Sequence, residues 1–508
     1  MIPPVQDPRA LLARAMILAQ QVRIKEALGV ANQAVSKLPG VMEALYLRGL
    51  LSVQAEEFGQ AERDLKNATR MSPAAVPPRL ALINTYIAKK DGERAVKAAK
   101  RLLIITPEQS GAWSLLSGAS TMGGGIECGE TAARRALFIQ PQNGPALGNL
   151  AEALTHLGRL GEALSISERA LSSGADTPRM QLNHAIALLA LERWKSGWNA
   201  YERRLDTSLP DVIRRTHNLP RPEAPGRAKG LALLAEQGIG EQAIFSRFLK
   251  QAAQSTEITC IEMDAKLIPL VQRANPEFTF FPAKRFRDAD GPVAEEEAVL
   301  RSGAKCALEI GSLPNLLGGV APDFRRPYLQ ADSTRTEELR SRLFDGKPIV
   351  GICWRSKTPG FGRFKSSQLE QWLPILKTPN VHFVNLQYGE VAEELQELRA
   401  THGIYVEIPP IDLFDDLDGS GALIKACDLV VSTGSTTAQI AGGLGVETWM
   451  LLSRGPGLMW YWGYGERTPW FPDMRLYRQD VPGEWGQPVE RLANDLSDWA
   501  QRKLGGTG

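Results

Sequence analysis

The 508-residue sequence predicts an all-α repeat solenoid followed by a pair of α/β lobes, each built on a parallel, doubly wound sheet. A 34-residue spacing of small side chains predicts the solenoid, and alternating apolar and amphipathic segments beyond residue 230 predict the lobes. A proline-rich stretch separates them. We therefore divide the chain into a solenoid over 1–211, a linker over 212–229, and lobes over 230–335 and 336–508. A chain of this length exceeds what one hydrophobic core supports.

The solenoid prediction rests on six units in register. The recurring small residues are Ala27, Ala61, Ala95, Gly129, Ala163 and Gly197. A proline follows each of the first four by twelve residues: Pro39, Pro73, Pro107 and Pro141. Two closely crossing helices need a small side chain, and proline ends the second helix. This is the tetratricopeptide pattern, whose concave face commonly binds a polypeptide. Arg204 occupies a core-like position of the sixth unit, which predicts that this unit docks onto the next domain of the chain.

Composition restricts the function. The net charge is +2, from 59 basic and 57 acidic residues, so it gives no reason to expect nucleic acid or an anionic membrane as partner. The five cysteines are far apart and never form a CxxC pair, which argues against a zinc site or a disulfide framework. The sequence shows no secretion signal and no apolar run of spanning length. We expect a cytoplasmic protein without membrane insertion, without a metal and without a resident cofactor.

In the first lobe, an apolar strand pattern over 230–237 leads into a glycine turn and an amphipathic stretch over 242–254. The segment EQGIG at 236–240 resembles the EQGxGD segment of bacterial tetratricopeptide-repeat glycosyltransferases, which are related to the heptosyltransferases. The resemblance implies a two-lobed GT-B fold with Gln237, Gly238 and Gly240 in an acceptor-side loop. It also implies that Glu241, where the family has aspartate, is the general base. Alternatively, the dipole of the following helix favours an acid there.

The second lobe places a basic loop after a predicted strand over 348–354. It gathers four cations around glycines: Arg355, Lys357, Arg363 and Lys365. Cations at the end of a parallel strand can neutralise a phosphate group and the charge that develops as a sugar leaves it. The alternative is a solvated loop. We interpret the four residues as donor-binding.

A second candidate donor site lies at the start of the predicted helix over 436–444. Gly434, Ser435, Thr436 and Thr437 can bind phosphate through backbone N–H groups, or Ser and Thr can serve only as a helix cap. O-linked N-acetylglucosamine transferases have a similar helix start that grips the donor phosphates. Heptosyltransferase-like members carry Asp and His where this chain has Gly434 and Gln439. This departure argues against a heptose donor and leaves open that the domain binds a donor without turnover.

Two further patterns concern aromatic residues. Gln387 and Tyr388 follow a predicted strand over 381–387 and can read or stack on a nucleotide base, or form an ordinary turn. A predicted short strand covers 404–408. The aromatic run over 460–470 can form the floor of a sugar site or pack in a core, and we interpret it as core.

The resemblance, with the stretch over 351–479, covers nearly the whole chain. It implies transfer of a sugar from a nucleotide sugar to Ser or Thr of a protein bound by the repeats. Related bacterial proteins include flagellin glycosyltransferases, which makes flagellin the leading acceptor and a nonulosonic acid such as pseudaminic acid a candidate sugar. The alternatives are a non-catalytic repeat scaffold and a transferase acting on lipid or polysaccharide.

Overall fold

A computed structural model describes residues 8–206, 209, 212–224, 228–288, 291–321, 327–356, 362–455 and 457–505. The chain divides into two compact units. One comprises Met1–Thr155 with Ser165–Ala175, and the other His156–Leu164 with Asp176–Gly508. The second unit therefore contains the sixth repeat together with the α/β region.

Twelve helices form the six repeats, two helices to each. They are α1 (Pro8–Gln20), α2 (Ile24–Lys37), α3 (Met42–Gln54), α4 (Phe58–Met71), α5 (Val76–Ala88), α6 (Gly92–Ile105), α7 (Ser110–Gly123), α8 (Ile126–Ile139), α9 (Gly144–His156), α10 (Leu160–Ser172), α11 (Pro178–Ala190) and α12 (Trp194–Tyr201). Each 34-residue unit is thus one helical hairpin, which confirms the predicted repeats.

The small residues lie where their spacing predicts. All six lie in the second helix of their repeat, and the four alanines are fully buried. A Cβ added to Gly197 would lie 2.8 Å from Cδ2 of Leu189, and one added to Gly129 would collide with Oγ1 of Thr121. The four prolines each stand two residues beyond the end of a second helix, at α2, α4, α6 and α8. Close helix crossing therefore explains the period.

The first sheet has four parallel strands in the order β3-β2-β1-β6. Its strands are β1 (Leu231–Leu234), β2 (Ile258–Met263), β3 (Phe280–Pro282) and β6 (Cys306–Glu309). The accompanying helices are α13 (Ile239–Ser246), α14 (Leu249–Ala253), α15 (Ile268–Ala274), α16 (Glu297–Arg301) and α17 (Leu313–Leu316). An antiparallel hairpin, β4 (Lys284–Asp288) with β5 (Gly291–Glu295), follows β3.

The second sheet has five parallel strands in the order β11-β10-β9-β7-β8. The strands are β7 (Ile349–Cys353), β8 (His382–Asn385), β9 (Leu429–Thr433), β10 (Thr448–Leu452) and β11 (Arg475–Arg478). The helices are α18 (Ser333–Leu343), α19 (Gly362–Lys365), α20 (Leu373–Leu376), α21 (Ala392–His402), α22 (Leu417–Ala426), α23 (Thr436–Gly443) and α24 (Gly486–Gly505). These parallel sheets confirm the predicted α/β class.

The prediction of a strand over 404–408 is wrong. Only two backbone hydrogen bonds join this segment to the edge of β8, so it forms one isolated parallel bridge, between Val384 and Glu407, instead of a strand. Strands β4, β5, β6 and β11 were not predicted from the sequence.

The sixth repeat is joined to the α/β region by an aromatic core, in agreement with the docking prediction. Trp198 of α12 is buried, and its ring contacts Phe245, Trp460 and Trp470 edge to face at centroid distances of 5.8–6.1 Å. Its indole Nε1 donates to the carbonyl of Val320 over 3.1 Å. Apolar burial and edge-to-face contacts together stabilise such a cluster. The aromatic run over 460–470 therefore belongs to the core, as predicted.

Within the described ranges, no helix is both long enough and apolar enough to cross a bilayer.

Candidate functional site

Strand order locates the candidate site. In the second sheet the chain passes from β7 to β8 on one side, and β9 lies on the other side of β7. In the first sheet, β2 and β6 flank β1 in the same manner. Loops diverge at such a switch point and leave a crevice beyond the carboxyl ends of the strands. The loops after β1, β7 and β9 carry most of the residues that the sequence singled out.

The start of α23, directly after β9, presents backbone donors. Ser435 is the N-cap residue, but its side chain makes no capping hydrogen bond, because its Oγ lies 3.0 Å from Oγ of buried Ser432. Thr436 and Thr437 begin the helix and line an apolar cavity of about 180 Å³. The first-turn N–H groups of a helix need acceptors. The Ser435 side chain therefore does not cap the helix, and the backbone N–H groups at the helix start are suited to bind an anion.

Lys365 is the buried cation of this region. It ends α19 and is 6% exposed. Its carbonyl accepts a hydrogen bond from Oγ1 of Thr433, the last residue of β9. Burial lowers the pKa of the Lys365 ammonium, and the carboxylate of Glu241 opposes that change. Within the described ranges the ammonium makes neither a hydrogen bond nor an ion pair. A buried cation is costly unless a counter-charge joins it.

Trp462 adds a second polar group beside the same turn. Its buried Nε1 has no hydrogen-bond partner among the described residues. A Cβ on Gly434 would lie 3.3 Å from this nitrogen, so the glycine leaves the indole close to the β9–α23 turn. Unpaired buried donors are rare in folded proteins, and a ligand acceptor is one way to satisfy them.

Glu241 lies in the first turn of α13 and is held by residues of the second sheet region. The Tyr461 hydroxyl donates to Glu241 Oε1 over 3.1 Å and accepts from Gln439 Nε2 over 2.9 Å. Burial, with Glu241 adding to it, raises the pKa of Tyr461 well above its usual value, so the phenol stays protonated. Gly240 allows α13 to approach α23, because a Cβ there would collide with the Gln439 amide. A cavity of about 30 Å³ adjoins Glu241 and Tyr461.

The remaining residues of the EQGIG loop face a larger space. Gln237 has a φ of +53°, and its Nε2 donates to the Tyr201 hydroxyl over 3.1 Å. Gly238 is the N-cap residue of α13. Beyond them, a cavity of about 1140 Å³ is lined by residues of α11, the linker and the first sheet region, including Gln237.

Two predicted donor residues have their polar groups engaged in hydrogen bonds and ion pairs within the fold. Arg355 Nη1 pairs with Glu394 over 2.6 Å, and its Nη2 donates to the carbonyl of Glu390. Gln387 is buried, and its Oε1 accepts from the backbone N–H groups of Trp354 and Arg355 over 3.1 and 2.8 Å. That amide fixes the end of β7 beside β8.

The other predicted donor residues are more peripheral. Arg363 is exposed, with its guanidinium 4.6 Å from the centre of the Phe364 ring. Lys357 lies outside the described residues. Tyr388 is half-buried and its ring centroid is 6.1 Å from that of Phe414. Both rings line the 180 Å³ cavity and an adjoining one of about 550 Å³. The latter is large enough for part of a nucleotide.

Tyr461 and Trp462 were assigned to the core from the sequence, and Tyr201 was not singled out. All three side chains are buried. What distinguishes them from purely apolar core residues is the polar atom that each aromatic side chain carries.

Among the described residues, no group of three or more His, Cys, Asp or Glu side chains is placed to hold a metal ion.

Comparison with solved structures yields partial likenesses to tetratricopeptide-repeat proteins. A thermophilic TPR protein of Thermus thermophilus is 21% identical, with a TM-score of 0.32, and the match covers 36% of this chain and 100% of that one. A tetratricopeptide repeat protein of Parabacteroides merdae is 15% identical, with a TM-score of 0.37 and coverages of 40% and 78%.

Family comparisons give a firmer result. The tetratricopeptide-repeat family model matches residues 52–118. Protein FlbA of Caulobacter vibrioides is 30% identical over 435 residues, which cover 80% of this chain and 70% of that protein. With a match of that extent, the chain belongs to the family of Protein FlbA and begins with an array of tetratricopeptide repeats.

Proposed function

We propose that the protein is a glycosyltransferase that moves a sugar from a nucleotide sugar to a Ser or Thr hydroxyl of a polypeptide bound by its repeats. One observation carries the proposal. Lys365, whose ammonium has neither a hydrogen bond nor an ion pair within the described ranges, is joined through its carbonyl to Thr433 just before the β9–α23 turn, where the helix start lacks a side-chain cap. The Glu241 carboxylate is close enough to Lys365 to act on its pKa. A cation and helix N–H groups on one side and a carboxylate on the other suit transfer from a phosphate leaving group.

The donor phosphate belongs at the start of α23. Its N–H groups and Lys365 provide positive charge for the ground state and for the greater charge on the leaving phosphate oxygen. The nucleoside extends toward the 550 Å³ cavity, where Tyr388 offers an aromatic face. This arrangement needs neither Arg355 nor Gln387, whose polar groups are engaged in the fold.

The acceptor hydroxyl belongs at Glu241. Its oxygen forms a bond to the anomeric carbon as the bond from that carbon to the phosphate oxygen breaks. Glu241 receives the hydroxyl proton, and the nucleotide leaves with the phosphate charge. Tyr461 holds Oε1 of Glu241, which leaves Oε2 for the acceptor proton.

Flagellin is the acceptor that the resemblance implies, and a nonulosonic acid such as pseudaminic acid is the corresponding sugar. The 1140 Å³ cavity beside Gln237 offers room for an acceptor segment on the first-sheet side. A non-catalytic scaffold is the second candidate. The pairing of Arg355 with Glu394 favours it, because this removes one of the predicted phosphate-binding cations.

Calorimetric titration with UDP, GDP and CMP tests the donor site. We expect at least one of them to bind, and Lys365→Met to weaken that binding by about tenfold or more, as loss of a charged hydrogen bond does. The matched control is Lys377→Met, which removes an exposed lysine after α20. Equal affinities of the two variants would exclude Lys365 from the site, and absence of all binding would favour the scaffold.

Glu241→Gln tests the transfer step. The amide still accepts a hydrogen bond from Tyr461 but cannot take a proton, so turnover should fall by about a hundredfold or more while donor affinity changes little. The readout is sugar transfer to purified flagellin with a panel of nucleotide sugars, and donor binding measured in parallel. An unchanged rate would remove Glu241 from the mechanism.

A further inference from the structure

A basic groove lies in the repeat array. It has a volume of about 370 Å³ and is lined by residues of α4, α5 and α6. The second helices of repeats two and three supply its walls, and α5 supplies Leu82 and Tyr86. We call it the α4–α6 groove.

The groove is strongly cationic. Its lining contains no carboxylate among the described residues and six basic side chains: Lys66, Arg70, Arg79, Arg94, Lys97 and Arg101. The whole chain carries a net charge of only +2, so this is a local concentration of charge. A concave surface lined by one sign of charge attracts the opposite sign.

Nearby acids neutralise only part of this charge. Glu62 receives ion pairs from Lys66 over 2.7 Å and Arg94 over 3.2 Å, and Lys97 pairs with Glu93 on its own helix. Arg70 reaches only the side-chain oxygen of Asn67, over 3.0 Å. Arg101 is exposed and makes neither a hydrogen bond nor an ion pair within the described part of the chain. Two arginines on facing helices therefore keep their charge available.

An exposed aliphatic side chain adjoins Arg101. Ile104 lies one helical turn beyond Arg101 on α6 and is 79% exposed. Residues three apart share a helix face, so Ile104 and Arg101 are presented together. Exposed apolar residues beside a charged groove are typical of protein-binding surfaces.

From this combination we propose that the α4–α6 groove binds an acidic polypeptide segment that also carries apolar side chains. Carboxylates pair with Arg70 and Arg101, and an apolar side chain covers Ile104. Single-stranded nucleic acid fits less well, because it needs exposed aromatic rings for base stacking, and the groove's Tyr86 is buried. The proposal is independent of the glycosyltransferase assignment and concerns residues other than those of the crevice.

Fluorescence anisotropy of the full chain tests this inference. The probe is a fluorescein-labelled peptide of alternating glutamate and leucine, and a lysine–leucine peptide is the charge control. The double variant Arg70→Glu/Arg101→Glu should weaken peptide binding by about tenfold or more, because each hydrogen bond to a charged group contributes more than about 1 kcal/mol to the binding free energy. The matched control is Arg63→Glu/Lys100→Glu, which makes the same charge change at exposed positions of α4 and α6 outside the groove.

The control pair should lower affinity by less than about twofold, because salt screens charges that do not contact the peptide. Equal losses in the two double variants would show diffuse attraction and overturn the proposal. So would failure of the acidic peptide to bind the unmodified chain, or its displacement by poly(U) RNA at equal concentration. Helical circular dichroism establishes that each variant is folded, and Arg70→Ala/Arg101→Ala repeats the test without charge reversal.

Discussion

Replacement of Arg204 by methionine tests how the sixth repeat is attached to the first sheet. The Arg204 side chain is buried, and it forms a two-pronged ion pair with Glu236, Nε to Oε2 over 3.0 Å and Nη2 to Oε1 over 2.6 Å. Nη2 also donates to Ser312 Oγ over 2.8 Å. Glu236 accepts a further bond from the Gly311 N–H over 2.8 Å. Arg204→Met keeps the apolar stem and removes the charge.

The expected cost depends on what remains buried. Glu236 keeps its negative charge in the interior with one remaining N–H donor from Gly311, and breaking such a pair costs about 3–5 kcal/mol. Glu236→Gln in the same chain removes that charge while the amide oxygen still accepts from Gly311. The double variant should therefore recover most of the loss and lie within about 2 kcal/mol of the unmodified protein.

Urea unfolding followed by tryptophan fluorescence measures these values, because Trp198 packs against Tyr201, whose ring in turn contacts the Arg204 guanidinium. Arg203→Met is the control, since Arg203 is the exposed neighbour in the same turn. The reasoning is refuted if Arg204→Met costs no more than Arg203→Met. It is refuted equally if the double variant is as unstable as Arg204→Met, because the unpaired charge would then not be the cause.

Three further predictions concern other contacts. Lys66 and Lys89 lower the pKa of Glu62 to about 2, so this carboxylate stabilises the fold above its ordinary pKa of 4.5 and loses the effect as pH falls toward 2. Glu62→Gln should lower stability by up to about 1 kcal/mol at neutral pH, and the difference in thermal midpoint should vanish at low pH; a difference that persists there would contradict the assignment. Gly240→Ala should lower the free energy of unfolding in urea by about 1–3 kcal/mol, because the added Cβ pushes α13 away from the Gln439 amide. Gly111→Ala is the control and should cost nothing, since an added Cβ there meets open space. Equal values for the two variants would show that α13 and α23 are not tightly packed at Gly240. Trp198→Ala should cost about 3–5 kcal/mol, and Trp198→Phe clearly less, because it keeps a ring among Phe245, Trp460 and Trp470; no difference between them would refute the packing argument.

Regular local patterns made much of the fold predictable. Each tetratricopeptide hairpin is formed by contacts within one 34-residue unit, so the spacing of Ala27 and its equivalents was sufficient. Buried apolar strands were also predictable, and β7 lies within the predicted range of 348–354. Segments that depend on a partner were not. The predicted strand over 404–408 pairs at a single bridge, and β11, at the edge of its sheet, was missed.

The candidate site was predicted only in part, because residue type does not specify a side chain's partner. Arg355 and Lys365 are both cations of one predicted loop. The structure pairs Arg355 with Glu394, whereas Lys365 is buried against the end of β9 and forms no ion pair with the residues that the structure describes. Gln387 was predicted to face a base, yet its amide binds the backbone at the end of β7. Tyr461 was classed with the core, yet its hydroxyl contacts Glu241.

The sequence by itself determined the repeat array, the parallel α/β class and the loops that carry polar residues, because these arise from short-range periodicity and turn chemistry. Only the tertiary structure decided which of those residues meet. Tyr461 reaches Glu241 across 220 residues of sequence, and Gln439 reaches Tyr461, because the two sheet regions pack with α13 against α23. Contacts over such separations depend on how the sheets pack, and no local pattern encodes them.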